Sequence, residues 1–337
     1  MKNLRKKNGI RGYTIVKLIS FAAICFLSFT LTALDSRFTL EAGLKYNSNL
    51  EYQKLYDRLK DKNLEKKESL FATTNGEAAF RFGEGNEYSG DYALYSDLSL
   101  QYPEYSRLNQ YGTFGIMKEL NERTQISLLS INHLSLSDYI SPETEFFDSY
   151  ISADLFYDRT SRNSFYLGMK GGYFKNISSE LRYLEGPAFG FSGGFYLYES
   201  DLESYFKAGF LEEVFLFRDE ECSICNNSLF ISNKYNKTAL QLEYLKKISK
   251  LEVSAAAQYT YLYWLKEDVV GSWKKRREEH SLDGSLALLY KISGMNSLKS
   301  DYSFRKNIST IGQKKNDYTD YNMTQHLFGV SVVCTFK

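Results

Sequence analysis

The chain has 337 residues, 43% of them hydrophobic, with 42 basic and 41 acidic side chains, a balance that excludes the large net positive charge by which a nucleic-acid partner is advertised. It carries 28 Tyr, 24 Phe and 22 Gly beside only 3 Pro. Aromatics fit the pleat of a strand and Pro removes a ladder hydrogen bond, so the composition predicts an all-β chain.

Taken in order, the sequence opens with Lys2, Arg5, Lys6, Lys7, Arg11 and Lys17, then runs without charge from Leu18 to Leu31. Such a run suits the apolar region of a secretory signal and falls short of the ~20 residues of a spanning helix. The expectation is a signal peptide over 1–33, with cleavage after Ala33, followed by one domain over 34–337. Cys25 lies midway through the apolar run, after Ile24, which disfavours a lipid anchor there. No later run approaches ~18 uninterrupted apolar residues.

Beyond the signal the chain alternates with period two. Leu251, Val253, Ala255, Ala257, Tyr259, Tyr261 and Tyr263 face away from Glu252, Ser254, Gln258 and Thr260, the mark of a two-faced strand. The same reading places strands at 36–50, 70–82, 88–102, 110–119, 124–136, 147–158 and 164–175. They continue at 186–198, 204–218, 237–247, 251–266, 280–292, 296–309 and 325–337. Alternate linkers are short ("GEGNEY", "LNER", "RTSRN", "ESDLE", "KISK", "SGMNS"). Those between them are mostly longer and more charged, among them "EYQKLYDRLKDKNLEKKES", "DEECSICNNSLFISNKYN" and "EDVVGSWKKRRE".

An even number of long strands, tight turns alternating with long loops, and an export signal together predict an antiparallel transmembrane β-barrel. It has about fourteen strands (twelve or sixteen in other registers), short periplasmic turns and longer extracellular loops. Two strands break the pattern. Glu212 interrupts the outward set Phe206, Ala208, Phe210, Val214 and Leu216, which predicts a bulge or a rim position, because a charge facing lipid is costly. In "TQISLLSINHLSLSD" the apolar face switches between Leu128 and Leu129.

The last strand, "QHLFGVSVVCTFK", resembles the C-terminal signal of bacterial outer-membrane β-barrels, with Phe328, Val330, Val332 and Phe336 in its outward positions. The resemblance implies recognition by the barrel-assembly machinery. Lys337 after the aromatic and Cys334 in place of a second aromatic depart from it. The opening "LKYNSNLEY" is similar to the first strand of the translocator barrel of surface-lipoprotein assembly modulators, without the tetratricopeptide domain those proteins carry.

Little in the chain points to catalysis. His133 and Ser135 resemble the His-x-Ser of outer-membrane phospholipase A, but Leu136-Ser137 stands where that family has Asn-Gly. His133 is read as a polar wall residue and the protein as no enzyme and without cofactor. Cys222 and Cys225 stand at a Cys-x-x-Cys spacing and are either a loop disulfide or two free thiols. Tyr52, Leu55, Tyr56 and Leu59 fall at helical spacing in the first long loop. Lys274, Lys275, Arg276 and Arg277 form a basic run suited to solvent or to anionic headgroups.

Inward positions on the cleaner strands are Glu41, Lys45, Asn47, Asn49, Asn75, Glu77 and Arg81, then Asp91, Asp97, Asp154, Lys170, Gln258, Asp283 and Lys291. Charges of both signs predict a lumen for small polar solutes. The alternatives are a scaffold whose charged loops bind a cell-surface ligand and a barrel that moves a partner protein. The expected partners are outer-membrane lipid, the assembly machinery and small solutes or a surface ligand, with no nucleic acid.

Overall fold

The computed structural model describes residues 35–48, 68–83, 86–102, 106–137, 146–176, 185–217, 229–230, 234–270, 273–309 and 323–336. The strands are β1 (Asp35–Asn47), β2 (Ser69–Phe82), β3 (Asn86–Ser99), β4 (Arg107–Asn121), β5 (Thr124–Ser137), β6 (Phe146–Thr160) and β7 (Asn163–Asn176). After these come β8 (Gly186–Tyr198), β9 (Tyr205–Leu216), β10 (Leu229–Phe230), β11 (Lys234–Ile248) and β12 (Leu251–Val270). The chain finishes with β13 (Trp273–Lys291), β14 (Asn296–Ser309) and β15 (Met323–Phe336). Leaving aside the two-residue β10, every strand pairs antiparallel with its neighbours, β9 joins β11 directly, and β15 returns to β1. The result is a closed ring of fourteen strands.

The seam between β1 and β15 runs from Phe38 opposite Phe336 to Asn47 opposite Leu327. Aromatic pairs mark both of its ends: Phe38 lies 6.2 Å from Phe336 and Tyr46 lies 6.4 Å from Phe328, centroid to centroid. Between them Gly43 faces Ser331, and a Cβ at Gly43 would overlap the Val330 carbonyl and come within 2.5 Å of the Ser331 Cβ. The absence of a side chain there lets the two strands close.

On one end of the barrel the connections are 83–85, 122–123, 161–162, 199–204, 249–250 and 292–295. Ser249 adopts φ 54°, the left-handed conformation that two-residue hairpin turns demand. In the 199–204 turn the Ser204 hydroxyl and backbone amide both donate to Asp201, holding its carboxyl below the usual carboxylate range. The other end carries the long loops. Outer-membrane barrels keep their short turns in the periplasm and their longer loops outside.

The linker read as the loop "EDVVGSWKKRRE" is instead largely strand. β12 and β13 continue past the wall as a hairpin whose register partners include Glu267 with Arg276 and Asp268 with Lys275, residues of opposite charge. A register shift between Tyr263 and Glu267 separates this extension from the wall, and β10 pairs with its Val269 and Val270. Its charged residues, with neither period-two set apolar throughout, make the segment resemble a loop in sequence.

Of the two expectations for Glu212, a bulge or a rim position, the bulge is not found. The register of β9 is unbroken against Phe191 of β8 and Thr238 of β11, so Glu212 stays outward between Phe210 and Val214. The Thr238 hydroxyl donates to it at 2.5 Å, which supplies in place what a bulge would have avoided. The switch in β5 is real: Leu129 and Ile131 turn inward while Ser130 and Asn132 face out. Ser149 of β6 donates to Asn132 at 2.8 Å. The helical spacing at Tyr52–Leu59 lies outside the described residues.

Gly43→Val is expected to prevent closure, read as loss of the compact, heat-modifiable species on a gel. Gly112→Val should retain it, since a Cβ at the outward Gly112 has no neighbour within 4 Å.

Candidate functional site: the lumen

Register partners share a face of the sheet, so the pairing sorts each strand into an outward and an inward set. The outward set includes Leu40, Leu44, Ile151, Met169, Phe189, Leu240 and Val330, which are between 46% and 67% exposed. Aromatic residues gather on that face in two girdles, Phe38, Phe82, Tyr88, Tyr157 and Phe165 at the turn end and Tyr46, Phe147, Tyr173 and Tyr302 at the loop end. Charged residues such as Glu41, Lys45, Asp97, Lys170 and Glu213 point the other way, into the ring. A surface with its apolar side outside is stable only in hydrocarbon. This is a transmembrane β-barrel of the outer-membrane type.

Inside the barrel, the wall of β1–β3 and β13–β15 is a network of paired ions and amides. Lys299 donates to both oxygens of Glu41 at 3.0 and 3.1 Å, and the Ser331 hydroxyl donates to Glu41 at 2.6 Å. Lys45 lies 3.7 Å from Asp97. Glu77 accepts from Asn75 and from the Tyr95 hydroxyl, both at 2.9 Å, and Thr113 donates to Asp91 at 3.1 Å. Asp283 is bound by Arg305, and Gln325 donates to Asn47 at 3.1 Å. Beside this network, on β11 and β12 of the other wall, Gln258 accepts from Gln241 at 2.8 Å and donates to Thr260 at 2.9 Å.

The opposite wall, β6–β12, combines cations with rings. Lys170 of β7 and Lys237 of β11 meet at Glu213 of β9, at 2.5 and 2.8 Å, where the carboxylate is almost fully buried. Lys207 reaches Glu243 at 3.4 Å, a carboxylate that also accepts from Tyr205 at 2.5 Å. Near the loop end, rings stand side by side across successive strands. Tyr111 stacks on His133 at 4.0 Å, His133 meets Phe146 at 4.7 Å and Phe146 meets Phe174 at 5.1 Å. Phe174 continues to Phe217 at 5.3 Å, and Tyr235 to Trp264 at 5.2 Å. Between the two walls lies a cavity of about 610 Å³ that touches Lys45, Asp97, Arg107, Lys207, Asp283 and Arg305. A second, of about 400 Å³, adjoins Glu41, Glu77, Lys299 and Asp301 and shares Lys45 and Asp97 with the first.

Of the residues singled out by sequence, Glu41, Lys45, Asn47, Asn75, Glu77, Asp91, Asp97, Asp154, Lys170, Gln258 and Asp283 stand on the inner face. Arg81 is at the turn end, 68% exposed and 3.7 Å from Glu87, and Lys291 stands beside the 292–295 turn. Asn49, Cys222 and Cys225 lie outside the described residues. Cys334, on the outward face of β15, is a free thiol. Sequence reasoning missed Lys207, Glu213, Lys237, Glu243, Lys299 and Arg305, which supply most of the counter-charges. The period-two signal places them inward too, but in β9 Glu212 obscures it. His133 is held in the wall: its Nδ1 lies 3.5 Å from Asp148, its ring stacks on Tyr111 at 4.0 Å, and its buried Nε2 has no hydrogen-bond partner among the described residues.

No protein-family model matches the chain, and no curated sequence is significantly similar to it. Among solved structures it is similar to the outer membrane channel DcaP of Acinetobacter baumannii, with 12% identity and a TM-score of 0.49 over 90% of this chain and 97% of that one. It is also similar to the anion-selective porin of Comamonas acidovorans, with 9% identity and a TM-score of 0.45 over 90% and 99%. At such values neither transfers a selectivity or a solute to this barrel.

Breaking a buried ion cluster by removing one partner costs about 3 to 5 kcal/mol. Glu213→Gln, which leaves Lys170 and Lys237 facing each other, should therefore lower the urea midpoint of the reconstituted barrel. Lys45→Gln, in the more exposed pair, should change it little.

Proposed function

We propose that the barrel is an outer-membrane channel for small polar solutes. The observation that carries this reading is the 610 Å³ cavity between the two walls, bordered by ions and amides whose partners are other wall residues. Charges pinned to the wall leave the space in front of them to water and solute, and both signs being present argues for weak ion selectivity. With His133 stacked on Tyr111 and facing Asp148 as part of the wall, we read the barrel as non-enzymatic. Export by the signal peptide at 1–33, and assembly through Phe328, Val330, Val332 and Phe336, complete the proposal. Those four residues are outward and between 43% and 55% exposed, available to an assembly factor before the seam closes.

One observation favours a second reading, in which the barrel is a scaffold for binding at the cell surface. The extension formed by β10, β12 and β13 rises beyond the last pairing of β13 with β14, at Glu279, and its β13 edge carries the basic run 274–277.

Planar-bilayer recording separates the two readings. A steady open conductance is expected from the channel; no conductance, together with ligand binding that vanishes when residues 267–276 are deleted, supports the scaffold instead. Within the channel, Glu77→Arg alters the local charge by two. At ~8 Å in water this costs a cation about 1 kcal/mol and favours an anion by as much, roughly a thirtyfold shift of the cation-to-anion permeability ratio toward anions at low salt, reduced by screening as the salt is raised. An unchanged reversal potential removes Glu77 from the conducting path. Deleting Phe336 and Lys337 should reduce the amount of heat-modifiable barrel in the outer membrane, and normal assembly of that truncation would end the role given to the terminus.

A further inference from the structure

Six inner-face glycines are concentrated in three adjacent strands: Gly168 and Gly172 of β7, Gly186, Gly190 and Gly194 of β8, and Gly209 of β9. The other eleven wall strands have three among the described residues, Gly43, Gly115 and Gly329. Four of the six lie under the large side chains of a preceding strand. Lys170 crosses Gly190 to reach Glu213 on β9, and a Cβ at Gly190 would lie 3.0 Å from Lys170 Cε and 3.1 Å from Glu213 Cγ. Tyr166 crosses Gly194, whose Cβ would stand 2.7 Å from its Cε1, and ends with its hydroxyl where a Cβ of Gly209 would be. Tyr150 lies over Gly172 in the same way. All three lean in one direction, toward higher strand number, and lie along the wall.

Resting on the channel reading above, we propose that this glycine floor sets the bore of the lumen and so its size limit for solutes. A side chain that finds glycine on the neighbouring strand can fold flat; one that meets a Cβ has to stand up into the lumen. The effect reaches the main cavity through Lys207, whose ammonium sits 5.9 Å from the Tyr166 ring and 5.4 Å from the Tyr196 ring and borders that cavity. Raising Tyr166 therefore narrows the space in front of β7–β9 and displaces a cation into it. Alternating glycine on the inner face, which a strand would otherwise avoid for its lack of packing, is explained by this use.

The test is single-channel conductance, with polyethylene glycols of graded size to find the largest that enters. Gly209→Ala should lower the conductance roughly twofold and reduce the size limit, as expected for a narrower pore. Tyr166→Ala placed on top of Gly209→Ala should restore both, because the ring that was raised is gone. Gly190→Ala, whose Cβ meets only side-chain atoms, is a second variant that retains assembly, and it should reduce the size limit through Lys170. Gly112→Ala, on the outer face, should leave the conductance as it was. A conducting wild type whose assembled Gly209→Ala and Gly190→Ala variants keep its conductance and size limit overturns the inference alone. A wild type that does not conduct overturns the channel reading and this inference with it.

Discussion

Everything in this structure depends on the rule that no backbone N–H or C=O can face hydrocarbon without a partner. A sheet of fourteen strands has two edges, and in lipid both have to be removed. The seam between β1 and β15 removes them, and its demands reach into the sequence. Gly43 has to be small enough for Ser331 to approach, and the strands on either side hold register over ten pairs. Among the described residues irregular chain is confined to the two ends of the ring.

Closure then decides which chemistry belongs where. Once the ring exists, each strand has a lipid side and a lumen side, and polar groups are stable on the first only when a neighbour satisfies them. Thr238 does this for Glu212 and Ser149 for Asn132. In the proposed water-filled channel the constraint is relaxed on the lumen side, yet most charges are still bound to a neighbouring strand. Glu213 is the extreme case, buried beneath two lysines. Such pairs fix side chains against the wall and keep the interior from being filled by their long stems. In the β7–β9 arc the glycines contribute to the same end by giving Tyr166 and Lys170 a surface to lie on.

Much of this is legible in the residues. Period-two alternation in β1, β2, β12 and β13 identifies the two faces, and alternating linker length gives the strand number and the ends. The boundaries of β8 and β14 agree to the residue. What fails has physical causes. The β12 and β13 extension has no apolar face, so hydropathy cannot separate it from a loop. Glu212 looks like a break because a hydrogen bond from the next strand is invisible in a single strand's pattern. Pairings such as Lys299 with Glu41, 258 positions apart, depend on closure and register together. The glycines of β7–β9 are visible as residues, but their purpose requires knowing what lies across them.

The central claim is that one face of each strand meets lipid and the other meets a watery lumen. Single cysteines placed along β2 from Ala72 to Ala79, in a background with Cys222, Cys225 and Cys334 replaced, test it in intact outer membranes with a membrane-impermeant maleimide. Labelling at 73, 75, 77 and 79 with protection at 72, 74, 76 and 78 is the predicted result. Equal labelling of both sets, or protection of both, would contradict it.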